Sequence, residues 1–184
     1  SVGAAGADLA FAHDFVSGSR QIVSFPAGNP SVMAVVGPQM DLFTGMAFNP
    51  DASVLWATNI TSQTLGTLSQ ATGGFTPVTP LQAPCCISAF TIDPVRGTFY
   101  VSKGDNLVYE LNPTTGATIL VALGAFANAQ ITALAMDCGG RLFAADGVDQ
   151  GSIYRVRFDA NPTLVGTTGI SRPTSLAFDN SNGI

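Results

Sequence analysis

The chain has 184 residues, enough for one domain and too few for two ordinary ones. Hydrophobic residues make up 46% of it, which supports a sizeable core and excludes a disordered chain. Seven Lys and Arg against twelve Asp and Glu give a net charge of −5 with no basic run, and this excludes nucleic acid as a partner.

From the N-terminus, Ser1 to Asp8 reads SVGAAGAD and lacks the charged start and apolar run of a secretory signal, as in a mature product whose signal is gone or a trimmed chain. Three strands are expected next, at Asp8 to Asp14, Gln21 to Phe25 and Ser31 to Val36. Four segments then resemble one another: FTGMAFNPDASVLWATN from Phe43, ISAFTIDPVRGTFYVSK from Ile87, ITALAMDCGGRLFAAD from Ile131 and PTSLAFDNSNGI from Pro173. Their anchors, Phe48-Asn49, Ile92-Asp93, Met136-Asp137 and Phe178-Asp179, recur at intervals of 44, 44 and 42 residues. An internal repeat of this length dictates the architecture.

Each repeat reads alike. An alternating strand a ends at an Asx turn, and a second strand b follows, as in Val54 to Thr58, Thr98 to Ser102 and Arg141 to Ala145. A polar loop leads to strand c (Thr64 to Leu68, Leu107 to Leu111, Ser152 to Arg157), and a Gly-containing turn leads to strand d, for example Thr118 to Leu123. Eleven of the twelve acids are Asp, and there are 20 Gly and 11 Pro, a composition of turns rather than helices. Four short strands per repeat predict an all-β fold, a β-propeller of four blade-length repeats. The expected blades are residues 8–38 with 173–179, then 43–81, 87–124 and 131–169. The segment 173–179 supplies the missing strand a of the first blade and closes a four-bladed ring; alternatively the chain forms half of a larger ring, through a homodimer or a longer protein.

The uncharged run TILVALGAF, Thr118 to Phe126, is interrupted by Asn128, Gln130 and Thr132 well short of the ~20 residues of a membrane span. Cys85, Cys86 and Cys138 leave an odd thiol however they pair. Cys85 and Cys86 could form a vicinal disulfide, either could reach Cys138, or all three are small half-buried apolar residues. No Cys or His spacing suits zinc. Asn59-Ile60-Thr61 is a glycosylation sequon, meaningful if the protein is secreted by a eukaryote. Residues 52–92 carry no charge, and their neutral hydroxyls and amides fit an extracellular surface.

The segments ASVLWATNITSQTLGTLSQATGG and GTFYVSKGDNLVYELNPTTGAT resemble the secreted NHL/YVTN-type propeller repeats, with their "DP-x-x-G-x-L-Y-V" strand and following "L-x-x-L-D-P-x-T-G". The resemblance covers nearly the whole chain and bears on fold far more than on activity. It implies that the b–c and d–a loops share the functional face. Asp14, Asn59, Lys103 and Asp146 fall at equivalent positions after strand b, with Asp41, Asp105 and Asp149 nearby. These are the expected binding residues for an unidentified protein or small-molecule ligand, with no cofactor. In the alternative, a metal-assisted lactonase or lyase, Asp14, Asn59 and Asp146 would hold Ca²⁺ through oxygen ligands and His13 would act as acid or base. The Glu and second Asn of the lactonase set have no counterpart here, and Lys103 would repel a cation. Asp93, Asp137 and Asp179 lie in the opposite a–b turns, where Asp caps its own turn. Phe11, Trp56, Tyr100 and Phe143, three residues before each ring position, are expected to pack between blades.

Overall fold

A computed structural model describes residues 9–14, 21–26, 29, 31–38, 42–82, 86–122, 126, 130–148, 151–170 and 173–177. Among these residues there are fifteen strands and no helix. The first sheet holds β1 (Leu9–Asp14), β2 (Gln21–Pro26) and β3 (Ala34–Pro38). The second holds β4 (Phe43–Phe48), β5 (Leu55–Asn59), β6 (Thr64–Leu68) and β7 (Phe75–Pro80). The third is β8 (Ile87–Ile92), β9 (Phe99–Lys103), β10 (Val108–Leu111) and β11 (Thr118–Leu120). The fourth is β12 (Ile131–Met136), β13 (Leu142–Asp146), β14 (Ser152–Arg155) and β15 (Thr163–Thr167). Every sheet is an antiparallel meander in chain order, and the four are blades of a β-propeller.

Blades are buried on both faces near the centre, and this explains why the inner strands are apolar at nearly every position instead of alternating. In β12 all residues but Thr132 are buried, and β8 repeats the pattern with Ser88 as the exception. The innermost strands pack side by side, β4 against β8 and β8 against β12. Each junction has its own core. Ile22 of the first blade meets Phe43, Leu55, Ala57 and Leu68 of the second; Leu65 of the second meets Phe90, Phe99 and Leu111 of the third. Ala89, Tyr100 and Val108 of the third meet Leu134, Leu142 and Ala144 of the fourth. Leu65, Leu111 and Leu142 are fully buried, each contributing about 2 kcal/mol by the area removed from water.

Three of the four aromatic residues expected between blades, Phe11, Trp56 and Tyr100, are there. Phe11 lies edge-on to Phe48 at 5.8 Å, Trp56 edge-on to Phe99 at 5.2 Å, and Tyr100 against Phe158 at 5.8 Å. Backbone contacts add to these contacts. Gly116, at φ 71°, brings its turn so close to the end of β7 that a Cβ there would stand 1.9 Å from the Pro80 carbonyl oxygen, and Gln82 N–H donates to its carbonyl at 3.0 Å.

Strand a carries a register irregularity at one repeated place, between Phe43 and Gly45, Ile87 and Ala89, and Ile131 and Ala133. A bulge there re-aims the first residues toward the loop face. Strand b runs one residue further than its sequence pattern suggested, so that Asn59, Lys103 and Asp146 are its last residues. β11 is shorter than expected and stops at Leu120.

The first sheet has three strands among the described residues. The closing strand expected from 173–179 is not seen there: residues 173–177 form no strand, and 178 and 179 lie outside the described residues. Thr132 Oγ1 donates to the Pro173 carbonyl, which ties this segment to the fourth blade. No described strand of the first sheet packs extensively against the fourth. β15, the outer strand of the fourth blade, has all five residues exposed, whereas its counterpart β7 carries Pro77 and Pro80.

Candidate functional site

The b–c turns put Asn59, Lys103 and Asp146 at the same end of three successive blades, as their spacing predicted. Their surroundings differ from those of solvated ligands. Asn59 is 1% exposed, and its Oδ1 accepts from Thr61 N–H at 2.9 Å and Ser62 N–H at 3.1 Å. Asp146 is likewise 1% exposed, with Oδ1 accepting from Gln130 N–H at 2.9 Å and Val148 N–H at 2.8 Å. Both are caps that satisfy the backbone of a buried turn. A cavity of about 10 Å³, room for about one water, lies beside Asn59 and is lined by Thr44, Thr58, Gln63, Leu81 and Cys86.

Lys103 breaks the pattern because an ammonium cannot accept a hydrogen bond. It turns outward instead. Nζ donates to Thr118 Oγ1 at 2.6 Å and sits 3.8 Å above the Tyr109 ring. Asp105 faces the same ring, accepting from Tyr109 Oη at 2.5 Å and from Leu107 N–H at 3.1 Å. The bond to Asp105, with burial and the carboxylate charge, pushes the Tyr109 phenol up to about 12. Burial pulls Lys103 below the ordinary lysine value, and the Asp105 charge opposes it. Asn106, at φ 60°, uses its Oδ1 to accept from Ile131 N–H at 3.2 Å and so pins the third blade to the fourth. Reading the sequence for charge did not single out Asn106, Tyr109 or Thr118; the Gly104-Asp105-Asn106 turn was the available signal.

His13 and Asp14 end β1, opposite Ile22 and Gln21. Asp41, Asp149 and Cys85 lie outside the described residues, and so does any Cys85–Cys86 bridge. Cys86 and Cys138 are exposed. Among the described residues no group of three His, Cys, Asp or Glu side chains converges as a metal cage would require. Two hydroxyls stand out beneath the loop face. The Oγ atoms of Ser88 and Ser102 are buried with no partner among the described residues, where the second blade has Thr44 and Thr58 hydrogen-bonded to each other at 3.1 Å.

The opposite end is built by the same device. Asn49 Oδ1 accepts from Val54 N–H at 2.8 Å, and Asp93 Oδ1 from Val95 N–H at 2.8 Å and Arg96 N–H at 3.0 Å. Asp137 accepts from Arg141 N–H at 2.8 Å and Arg141 Nε at 2.6 Å. Beside these turns an open groove of about 600 Å³ runs between the second and third blades, lined by Pro50, Trp56, Val78, Phe99 and Pro113.

No protein-family model matches the sequence, and no curated protein does. Solved structures do. A structural-genomics protein from Bacteroides thetaiotaomicron superposes with a TM-score of 0.68 at 12% identity, covering 93% of this chain and 51% of its own. A chain of a nidogen/laminin complex gives 0.62 at 19% identity, covering 95% and 66%. A TolB-like protein from Agrobacterium tumefaciens gives 0.53 at 20%, covering 73% and 50%. This chain thus spans about half to two thirds of the length of those structures. At these identities the likeness is one of fold, that of a β-propeller, and the four sheets described above are its blades in this chain.

Proposed function

We propose that the chain is an extracellular or cell-surface binding module of the NHL/YVTN propeller type, presenting its b–c and d–a loops to a protein or small-molecule ligand without a cofactor. The observation that carries this reading is the use of Asn59 and Asp146 as buried caps. Their oxygens fix the loops that follow, so the chemistry on this face serves rigidity, and a rigid ring of variable loops is a binding device. The exposed Val148 beside Asp146, 58% accessible, offers an apolar contact on that face. The nidogen/laminin likeness is consistent with protein binding.

The test is surface plasmon resonance of the immobilised chain against a panel of purified extracellular-matrix proteins and glycans. The expected result is a saturable interaction weakened about tenfold by Val148→Asp and unchanged by EDTA. Calcium-dependent hydrolysis of a lactone or ester, abolished by Asp14→Ala, would overturn it in favour of an enzyme. Native mass spectrometry of protein purified without chelator reports bound calcium and oligomeric state in the same preparation.

A further inference from the structure

The three described junctions place an aromatic residue of strand b against the next blade, and one of them shows what fits beside it. In the third blade Tyr100 pairs with Glu110; in the fourth Phe143 pairs with Arg155. Glu110 and Arg155 are therefore equivalent, and three residues beyond them stand Pro113 and Phe158. At the junction of the third and fourth blades, Phe158 lies against Tyr100 at 5.8 Å. Between the second and third blades Pro113 occupies the position of Phe158. Its short ring leaves Trp56 lining the open groove of about 600 Å³, with Val78, 51% exposed, further out on the same blade and Phe99 and Pro113 of the third blade facing them. That volume is in the range of ligand sites.

The groove's lining residues carry no charge, and Asp51, next to Pro50 at its mouth, is exposed. Arg96, next to the lining residue Gly97, points away: its Nη1 lies 3.4 Å from Asp93 Oδ2 and 3.1 Å from where a Cβ on Gly140 of the fourth blade would be. With the chain's net charge of −5, the field at the groove favours a cationic partner.

We infer that this groove docks an extended peptide that inserts an aromatic side chain against Trp56, as Phe158 lies against Tyr100, with an adjacent basic residue toward Asp51. The chain's own Arg155–Phe158 segment, Arg-Val-Arg-Phe, is a specimen of the required chemistry. This deepens the binding reading but is separable from it: the groove lies at the other end of the blades from the loop face, so either can fail alone.

Trp56 is the single tryptophan and reports directly on the groove. The experiment titrates the whole chain with acetyl-Arg-Val-Arg-Phe-amide and follows Trp56 emission. A saturable change is expected, with affinity at least about tenfold lower for the peptide ending in Ala. Pro113→Phe, which fills the groove with the side chain of the next junction, abolishes the response while leaving the circular dichroism spectrum unchanged. Asp51→Asn weakens binding about threefold, and salt weakens it in the wild type. No emission change up to millimolar peptide would overturn the proposal. So would equal response to the Ala peptide, undiminished binding by Pro113→Phe, or a response to cello-oligosaccharides in place of the peptide, which would make Trp56 a sugar platform.

Discussion

The two ends of the blades use Asx residues for the same task, yet only one end looks structural in the sequence. At the a–b end, Asn49, Asp93 and Asp137 each hold the amides of their own turn, as a regular NP, DP or DC dipeptide suggests. At the loop end, Asn59, Lys103 and Asp146 invite a reading as ligands because they mix charge and recur around a ring. Asn59 and Asp146 prove to be caps of the same kind, and more deeply buried than Asn49. What separates the ends is Lys103, which cannot cap and recruits Thr118, Tyr109 and Asp105 instead. Regular spacing reports the demands of a turn; the departure from regularity marks the position with its own chemistry.

The strongest way to break this comparison is Asp146→Ala. It strands the Gln130 and Val148 amides in a buried turn, and a loss of about 3 kcal/mol is expected in urea unfolding at unchanged m-value. Asp146→Asn keeps an acceptor oxygen and should lose about 1 kcal/mol. If Asp146→Ala were neutral, the cap reading would fail and the ligand reading would return.

A smaller effect distinguishes the a–b end by pH. Burial acts to raise the Asp137 carboxyl, but the bonds and charge of Arg141 outweigh it and hold the group below its ordinary 3.8. A carboxylate depressed in the folded state adds stability above about pH 4, and that contribution disappears as pH falls through the folded value. The melting temperature of Asp137→Asn should therefore drop less than that of the wild type between about pH 5 and pH 3. Parallel curves would show that Arg141, which is 49% exposed, contributes nothing.

The smallest change sharpens the exception. Lys103→Asn gives the third blade the cap that Asn59 gives the second, and stability should shift by no more than about 1 kcal/mol. The Tyr109 ring loses its cation, while its phenol still titrates near 12 through Asp105. A large loss on Lys103→Asn would mean that the contact with Tyr109 and Thr118 is a structural cornerstone of the blade.

The four-blade architecture was legible because its determinants are local: a near-constant repeat, alternation interrupted by Asx turns, and aromatics at one register. The inter-blade role of Trp56 and Tyr100 and the capping by Asp93 and Asp137 followed from the same periodicity. The closing strand expected over 173–179 lies partly outside the described residues, and pairing across a whole ring depends on the angle between blades, which no short pattern encodes. The capping by Asn59 and Asp146 was not legible, because a sequence gives the residue type but not whether its oxygens face backbone amides or solvent. The groove escaped notice because it arises from a side chain that is missing, a proline where the next blade has Phe158, and only superposed registers reveal that.

β15 has a consequence for the molecule in bulk solution. Its sequence, Thr-Leu-Val-Gly-Thr, has no charge and no proline, and it is exposed along its length with Leu164 54% and Val165 61% accessible. Such an edge is a template for another strand. In dilute buffer the −5 net charge keeps molecules apart, but near physiological salt the repulsion fades beyond about 8 Å. The rim of the fourth blade is then one route by which molecules associate as concentration rises, and a single lysine at Val165 would weaken it.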